Sequence, residues 1–237
     1  MRRSLAMPIG IGAGLAILLL GGSALASGTD ETPPDRPRRV RGRAIVTFTQ
    51  ISVPFVTKKG RKLQRIQINE NIDALVTAAS KTIGRKISEE AFILATMLAS
   101  EAENQPDQAK IAIGYAALTQ ASKLGVSLRT LLAPKKLGSK LGGQLGGYAS
   151  TARPPTKHDV EIAEGTLSGK YKNPTPGAVQ WDSPAAQDKL VAKRAPGYDP
   201  DMNADALARH REDVEHKTPV YVADVSPREL RLWRPAA

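Results

Sequence analysis

At 237 residues, with 41 % hydrophobic and only 4 % aromatic residues, the chain can bury a core built mainly from Ala, Leu, Ile and Val. Its net charge of +11 favours a polyanionic partner: nucleic acid, an anionic membrane surface or a bacterial envelope. The absence of cysteine excludes a disulfide framework and thiolate catalysis. His158, His210 and His216 stand apart without metal-binding spacing, and no Gly-rich phosphate loop of credible form occurs, so no metal and no cofactor is expected.

Residues 1–26 have the form of an export signal. Arg2 and Arg3 precede the uncharged run Leu5–Gly22, and Ala24-Leu25-Ala26 fits the A-x-A pattern of signal peptidase. The run is also near the lower limit of about 18 apolar residues for a membrane span, so an anchor helix is the alternative to cleavage after Ala26. Either way the remainder is expected outside the cytoplasm, in the periplasm or cell envelope, which argues against a specific nucleic-acid role. Residues 27–43 are rich in Pro and Arg and read as a disordered linker. Residues 44–70 suggest a β-hairpin: β-branched residues from Ala44 to Val53, a turn at Lys58-Lys59-Gly60, and a return strand from Leu63 to Ile68.

Residues 71–195 carry helical periodicity. Ile72, Leu75, Val76, Ala79 and Ile83 fall on one face, with Gly84 suited to end the helix. Ser88 suits an N-cap, followed by Glu89 and Glu90, and the helix it opens should run to about Glu103. Pro106 and Asp107 suit the start of the next helix, whose stretch Ile111–Ala121 is apolar on nearly all sides and therefore expected to be central. Ser127 should cap a short helix ending near Pro134. The Gly/Lys segment Lys135–Gly147 is too glycine-rich for a stable helix, and reads as a mobile surface loop or a basic lip over a cleft. Thr156 should cap a helix through Leu167, closed by Gly169. Asn173–Asp182 reads as a loop into a short strand, and Ser183-Pro184 as a helix start. Residues 196–237 form a helix–strand–helix extension in this reading: a polar helix over Asn203–His216, a strand over Thr218–Val225, and a last helix from Ser226-Pro227 to Trp233.

One residue breaks the apolar pattern. Glu101 lies seven, four and three positions after Leu94, Met97 and Leu98, on the core-facing stripe of its helix. A buried carboxylate tends towards a raised pKa, and a carboxylic acid that stays protonated near neutral pH can act as a general acid. The alternative is a helix-end glutamate that turns to solvent or pairs with a lysine.

The block LASEAENQPDQAKIAIGYAALTQ resembles the opening block of the spore-cortex-lytic type of cell wall hydrolases, lytic transglycosylases of the lysozyme superfamily. Ser100-Glu101-Ala102 matches the family's A-E-A-like triplet, Asn104 to Pro106 its turn, and Ile111 to Gln120 its second helix. Downstream, Gly177-Ala178 with Val179-Gln180-Trp181 looks like the family's Gly-Ala and aromatic strand, and Tyr148-Ala149-Ser150 stands where the family has an aromatic-Ser element of the cleft. The likeness covers about residues 88–190, and Glu103 and Asn104 depart from it where the family carries Arg-Gly.

The resemblance implies an α+β, mainly α, lysozyme-like domain that cuts the β-1,4 bond between N-acetylmuramic acid and N-acetylglucosamine in peptidoglycan glycan strands. It implies Glu101 as the single catalytic acid/base, with transglycosylase or muramidase chemistry. Tyr148 and Trp181 become candidate sugar-stacking faces, and Ser150, Thr151 and Gln180 candidate hydrogen-bonding groups. Trp181 and Tyr115 have a plainer reading as core, and Ser150 and Thr151 as turn caps. A second carboxylate would have to come from Asp159, Glu161, Glu164 or Asp182, three of which fall on a helix read as solvated. A monomer is expected, attached to the inner membrane if the N-terminal segment is retained. The rival reading is an inactive, exported wall-binding or structural protein that keeps the cleft.

Overall fold

The computed structural model describes residues 42–56, 60, 62–68, 71–103, 105–132, 153–185, 187–188 and 200–236. The export segment, the linker to residue 41 and the Gly/Lys segment lie outside them. The described chain is a mixed α and β structure, with helices in its middle and strands at either side in sequence. No described helix is long and apolar enough to cross a membrane.

The first strands are β1 (Gln50–Val56) and β2 (Lys62–Ile68), an antiparallel hairpin in which Val53 faces Arg65 and Phe55 faces Leu63. The first strand begins six residues later than the β-branched pattern indicates. Residues 44–46 dock elsewhere: Ala44 bridges Thr156, the Ile45 amide donates to the Pro155 carbonyl at 3.0 Å, and Ile45 and Val46 are buried. Their apolar side chains gain more from the main core than from a two-stranded ribbon, which is marginal in water by itself.

The helical part follows its caps closely. Helix α1 (Ile72–Ile83) starts at Asn71, whose side chain accepts from the Asp73 amide, and ends at Gly84 in the left-handed conformation, with φ of 80°. Helix α2 (Glu89–Glu101) starts at Ser88, whose hydroxyl accepts from the Ala91 amide at 3.1 Å. It ends at Glu101, two residues before the expected Glu103, with Ala102 as the C-cap. Every residue from Ala91 to Glu101 is buried, so α2 rather than its successor is the most enclosed element. Helix α3 (Asp107–Leu124) has Pro106 as its N-cap, one position before the expected first turn, and Gly125 as its left-handed C-cap. Helix α4 (Leu128–Leu132) follows Ser127, which accepts from the Thr130 amide. Helix α5 (Lys157–Leu167) has a full capping box between Thr156 and Asp159.

Helices α2, α3 and α5 meet in one core that includes Phe92, Leu94, Met97, Leu98, Ile113, Val160 and Ile162. A small residue permits one close approach at its edge: a Cβ on Gly165 would lie 2.1 Å from the Tyr171 ring. The Tyr171 carbonyl, in turn, accepts from the Tyr115 hydroxyl at 2.5 Å. Tyr115 thus packs against the core, in line with its plainer reading.

Beyond residue 177 the architecture departs from the expected helix–strand–helix. Strand β3 (Gln180–Asp182), helix α6 (Pro200–Val214), strand β4 (Lys217–Val220) and strand β5 (Arg231–Pro235) follow in sequence. The three strands form an antiparallel sheet in the order β3-β5-β4, so the segment read as a last helix is the central strand. The reason lies in its pairing. Residues 227–229 make only a turn, and Arg231–Pro235 then lends backbone hydrogen bonds to partners on both sides while Leu230, Leu232 and Trp233 are buried. The expected strand Thr218–Val225 shortens to Lys217–Val220, after which Val222 and Val225 are buried in a loop. Pairing of β3 with β5 joins residues 180–182 to the segment after residue 196 in one sheet.

Candidate functional site

Glu101 is 2 % exposed and ends α2, with its carboxyl enclosed by the fold rather than turned to solvent. The residues before it on the helix are also polar and buried. The Thr96 hydroxyl donates to the Phe92 carbonyl at 2.9 Å and the Ser100 hydroxyl to the Thr96 carbonyl at 2.7 Å, so both satisfy their protons within the helix. The Ser100 oxygen also accepts from the Arg153 amide at 2.9 Å. The Arg153 guanidinium reaches Glu103 at 2.5 Å. Two independent bonds therefore seat residue 153 on the C-terminal end of α2, next in sequence to Glu101.

The same segment is pinned from the other side. Lys110 of α3 and Asp159 of α5 form a buried ion pair at 2.6 Å, with side chains 8 % and 4 % exposed. The second Asp159 oxygen accepts from the Thr156 amide and hydroxyl. A buried pair of this kind is costly to half-remove, because the surviving charge is stranded. It fixes the starts of α3 and α5 relative to each other, and with them the surroundings of the α2 terminus.

The alternative carboxylates are all engaged. Asp159 is not on a solvated face, as its helix pattern suggests, but buried against Lys110, which no local periodicity announces. Glu164 takes both guanidinium nitrogens of Arg85, at 2.6 and 2.5 Å. Glu161 is exposed and lies 4.0 Å from Lys157. Asp182 is fully buried and held by Arg231 and His210.

Of the expected sugar-contacting residues, Tyr148, Ser150 and Thr151 lie outside the described residues. Trp181 is 3 % exposed and belongs to the hydrophobic core, as its plainer reading has it, so its ring faces protein rather than an open groove. Gln180 is 6 % exposed, and its amide spans two side chains, His210 at 3.3 Å and Lys217 at 2.6 Å. Strand β3 thus contributes to the interior of the C-terminal sheet.

That interior holds a polar cluster that sequence reasoning missed. Asp182 accepts from Arg231 Nε at 3.0 Å and Nη2 at 2.9 Å, lies 2.7 Å from His210 Nε2, and accepts a longer bond from Gln187. Burial alone would push the Asp182 carboxyl up, but the hydrogen bonds from His210 and Arg231, with the charge on Arg231, hold it below the usual carboxylate value. Arg231 also stacks over the Trp233 ring, 5.0 Å from its centroid. The members come from residues 28 and 49 positions away from Asp182, and no local pattern marks them.

Among the described residues no group of three or more His, Asp and Glu side chains gathers in a way that could hold a metal ion. Compared with known proteins, the chain matches no family model, no curated protein and no solved structure.

Proposed function

We propose that the protein is an exported peptidoglycan-cleaving glycosidase, a lytic transglycosylase or muramidase that uses Glu101 as its only acid/base. One observation carries this reading: Glu101 is 2 % exposed at the end of a buried, mainly apolar helix. Burial removes the hydration that stabilises a carboxylate anion, and the C-terminal end of a helix carries partial negative charge, which also disfavours the anion. The group is thereby suited to give up a proton and take one back.

In this reading the Glu101 carboxyl donates its proton to the glycosidic oxygen as the C1–O bond of N-acetylmuramic acid breaks. The resulting carboxylate then takes the proton of the sugar's own 6-hydroxyl while that oxygen bonds to C1. The product is a 1,6-anhydro sugar, and the acid is restored. If water replaces the 6-hydroxyl, the same steps give hydrolysis. The commitment of Asp159, Glu164 and Asp182 to other partners supports a mechanism with one carboxyl group. The net charge of +11 would hold the protein near an anionic envelope by salt-sensitive attraction.

Replacing Glu101 with Gln tests this reading. The variant should lose digestion of purified sacculi by about 100-fold or more, the usual contribution of a general acid/base. Equal rates for variant and wild type would remove Glu101 from the mechanism. Mass spectrometry of the products separates anhydro-muropeptides, from transglycosylation, from reducing ends, from hydrolysis.

A second reading, an inactive wall-binding protein, has one observation in its favour. Glu103 stands where the resembling family has Arg and is ion-paired with Arg153, while Gln180 and Trp181 are turned inward. Binding of sacculi without any solubilisation would decide for it.

A further inference from the structure

The hydrogen bonds around His210 can be assigned one by one. Lys217 carries only donors, so the Gln180 atom facing its ammonium at 2.6 Å must be the carbonyl oxygen. The amide nitrogen of Gln180 then faces His210 Nδ1 at 3.3 Å, which makes Nδ1 an acceptor. The single imidazole proton is left on Nε2, where it is donated to Asp182 at 2.7 Å. The chain Lys217–Gln180–His210–Asp182 therefore runs in one direction, donor to acceptor throughout.

We propose that this chain is a proton-sensitive lock on the C-terminal sheet, closed while His210 carries one proton and opened when it takes a second. A proton added at Nδ1 points a donor at the Gln180 amide nitrogen, itself a donor. Turning the Gln180 amide over to accept it would set that nitrogen against the Lys217 ammonium. One donor–donor contact is unavoidable, and it lies in a site where Gln180 and His210 are 6 % and 2 % exposed.

The described charged groups around His210 favour the second proton only in part. Asp182 of β3 attracts it, but Arg231 of β5 already matches that charge at 2.9 Å. Lys217 of β4 repels it and is itself paired with Asp213 of α6 at 2.9 Å. With Gln187 the remaining described partner of Asp182, these four charges balance among the described residues, and a charged His210 adds one to them. The elements joined at this point are β3, β4, β5 and α6, so opening loosens all four together. The lock does not depend on whether Glu101 cuts glycan.

Both tryptophans of the chain lie in this sheet, Trp181 in β3 and Trp233 in β5, so intrinsic tryptophan fluorescence reports on the sheet and its contact with the main core. Lowering the pH from about 7.5 to about 5 should move wild-type emission to longer wavelength. Amide protection factors in β4 and β5 should fall about tenfold or more over the same range. Lys217→Met frees Gln180 to turn its oxygen towards a doubly protonated His210, so most of that acid response should vanish. Nitrogen NMR of the imidazole should find the Nε2–H tautomer in the wild type near pH 7.5. An Nδ1–H tautomer, an absent acid response in the wild type, or an unchanged response in Lys217→Met would each overturn the lock. If Lys217→Met does not fold, the wild-type tautomer and acid response decide.

Discussion

Glu101 and Asp182 are 2 % and 0 % exposed, yet the fold surrounds them with different material. Asp182 is met by a guanidinium, an imidazole and an amide, and its charge is held by them. Glu101 ends a helix buried from Ala91 onward, at the pole where the backbone dipole is negative. The first arrangement holds an anion in place and makes structure out of it. The second puts an ionisable group at the end of a buried helix, where burial and the helix dipole both act against the anion.

Substitutions at the two positions should therefore separate cleanly. Glu101→Gln keeps the shape of the side chain and is expected to cost about 100-fold or more in sacculus digestion while changing stability by no more than about 1 kcal/mol. A thermal or urea unfolding curve alongside the digestion assay checks both halves. Asp182→Asn should do the opposite. It strands the Arg231 charge in a largely buried site and should destabilise the C-terminal sheet by about 3 kcal/mol, read by tryptophan fluorescence in urea. If both variants lose stability to the same extent, the contrast between the two sites is wrong.

Acid offers a gentler version of the same contrast. The Asp182 carboxyl is held below its ordinary value in the folded protein, so its contribution is present above the unfolded value near 4 and is lost as pH falls through the lower folded value. The Asp182→Asn variant should be less sensitive than the wild type in that window, below about pH 4, as seen in unfolding free energy against pH. The smallest effect is expected at Ser100, whose hydroxyl holds the Arg153 amide at 2.9 Å. Ser100→Ala should cost about 1 kcal/mol, and any larger loss of digestion than of stability would mark the residue-153 segment as part of the Glu101 site.

Local chemistry made the helical half legible in advance. Ser88 and Thr156 are caps whose side chains bond the first free amides, and Gly84 ends its helix in a conformation that suits glycine. The position of Glu101 on the apolar stripe followed from the spacing of Leu94, Met97 and Leu98, and its burial agrees. What could not be read were relations between distant segments. Asp159 looks solvated until Lys110, 49 positions earlier, is brought against it. Leu230 to Trp233 has no clear period of its own and takes its strand form from β3 and β4. His210 sits on a helix that reads as polar, and its partners Gln180 and Asp182 come from β3, far away in sequence.

The order β3-β5-β4 also constrains the sequence of events in folding. Neither outer strand touches the other: β4 pairs with β5 across a short connection, whereas β3 joins the sheet only through β5. Residues 180–182 must wait until residues 231–235 have emerged, and the intervening segment must be closed as a loop of about 50 residues, matching the 49-position separation of Asp182 and Arg231. Helices α2, α3 and α5 all lie before residue 168 and can assemble before β5 has emerged. A nascent or translocating chain would therefore present an assembled Glu101 end before its C-terminal sheet existed, and removal of residues from 231 onward would unpair both outer strands at once.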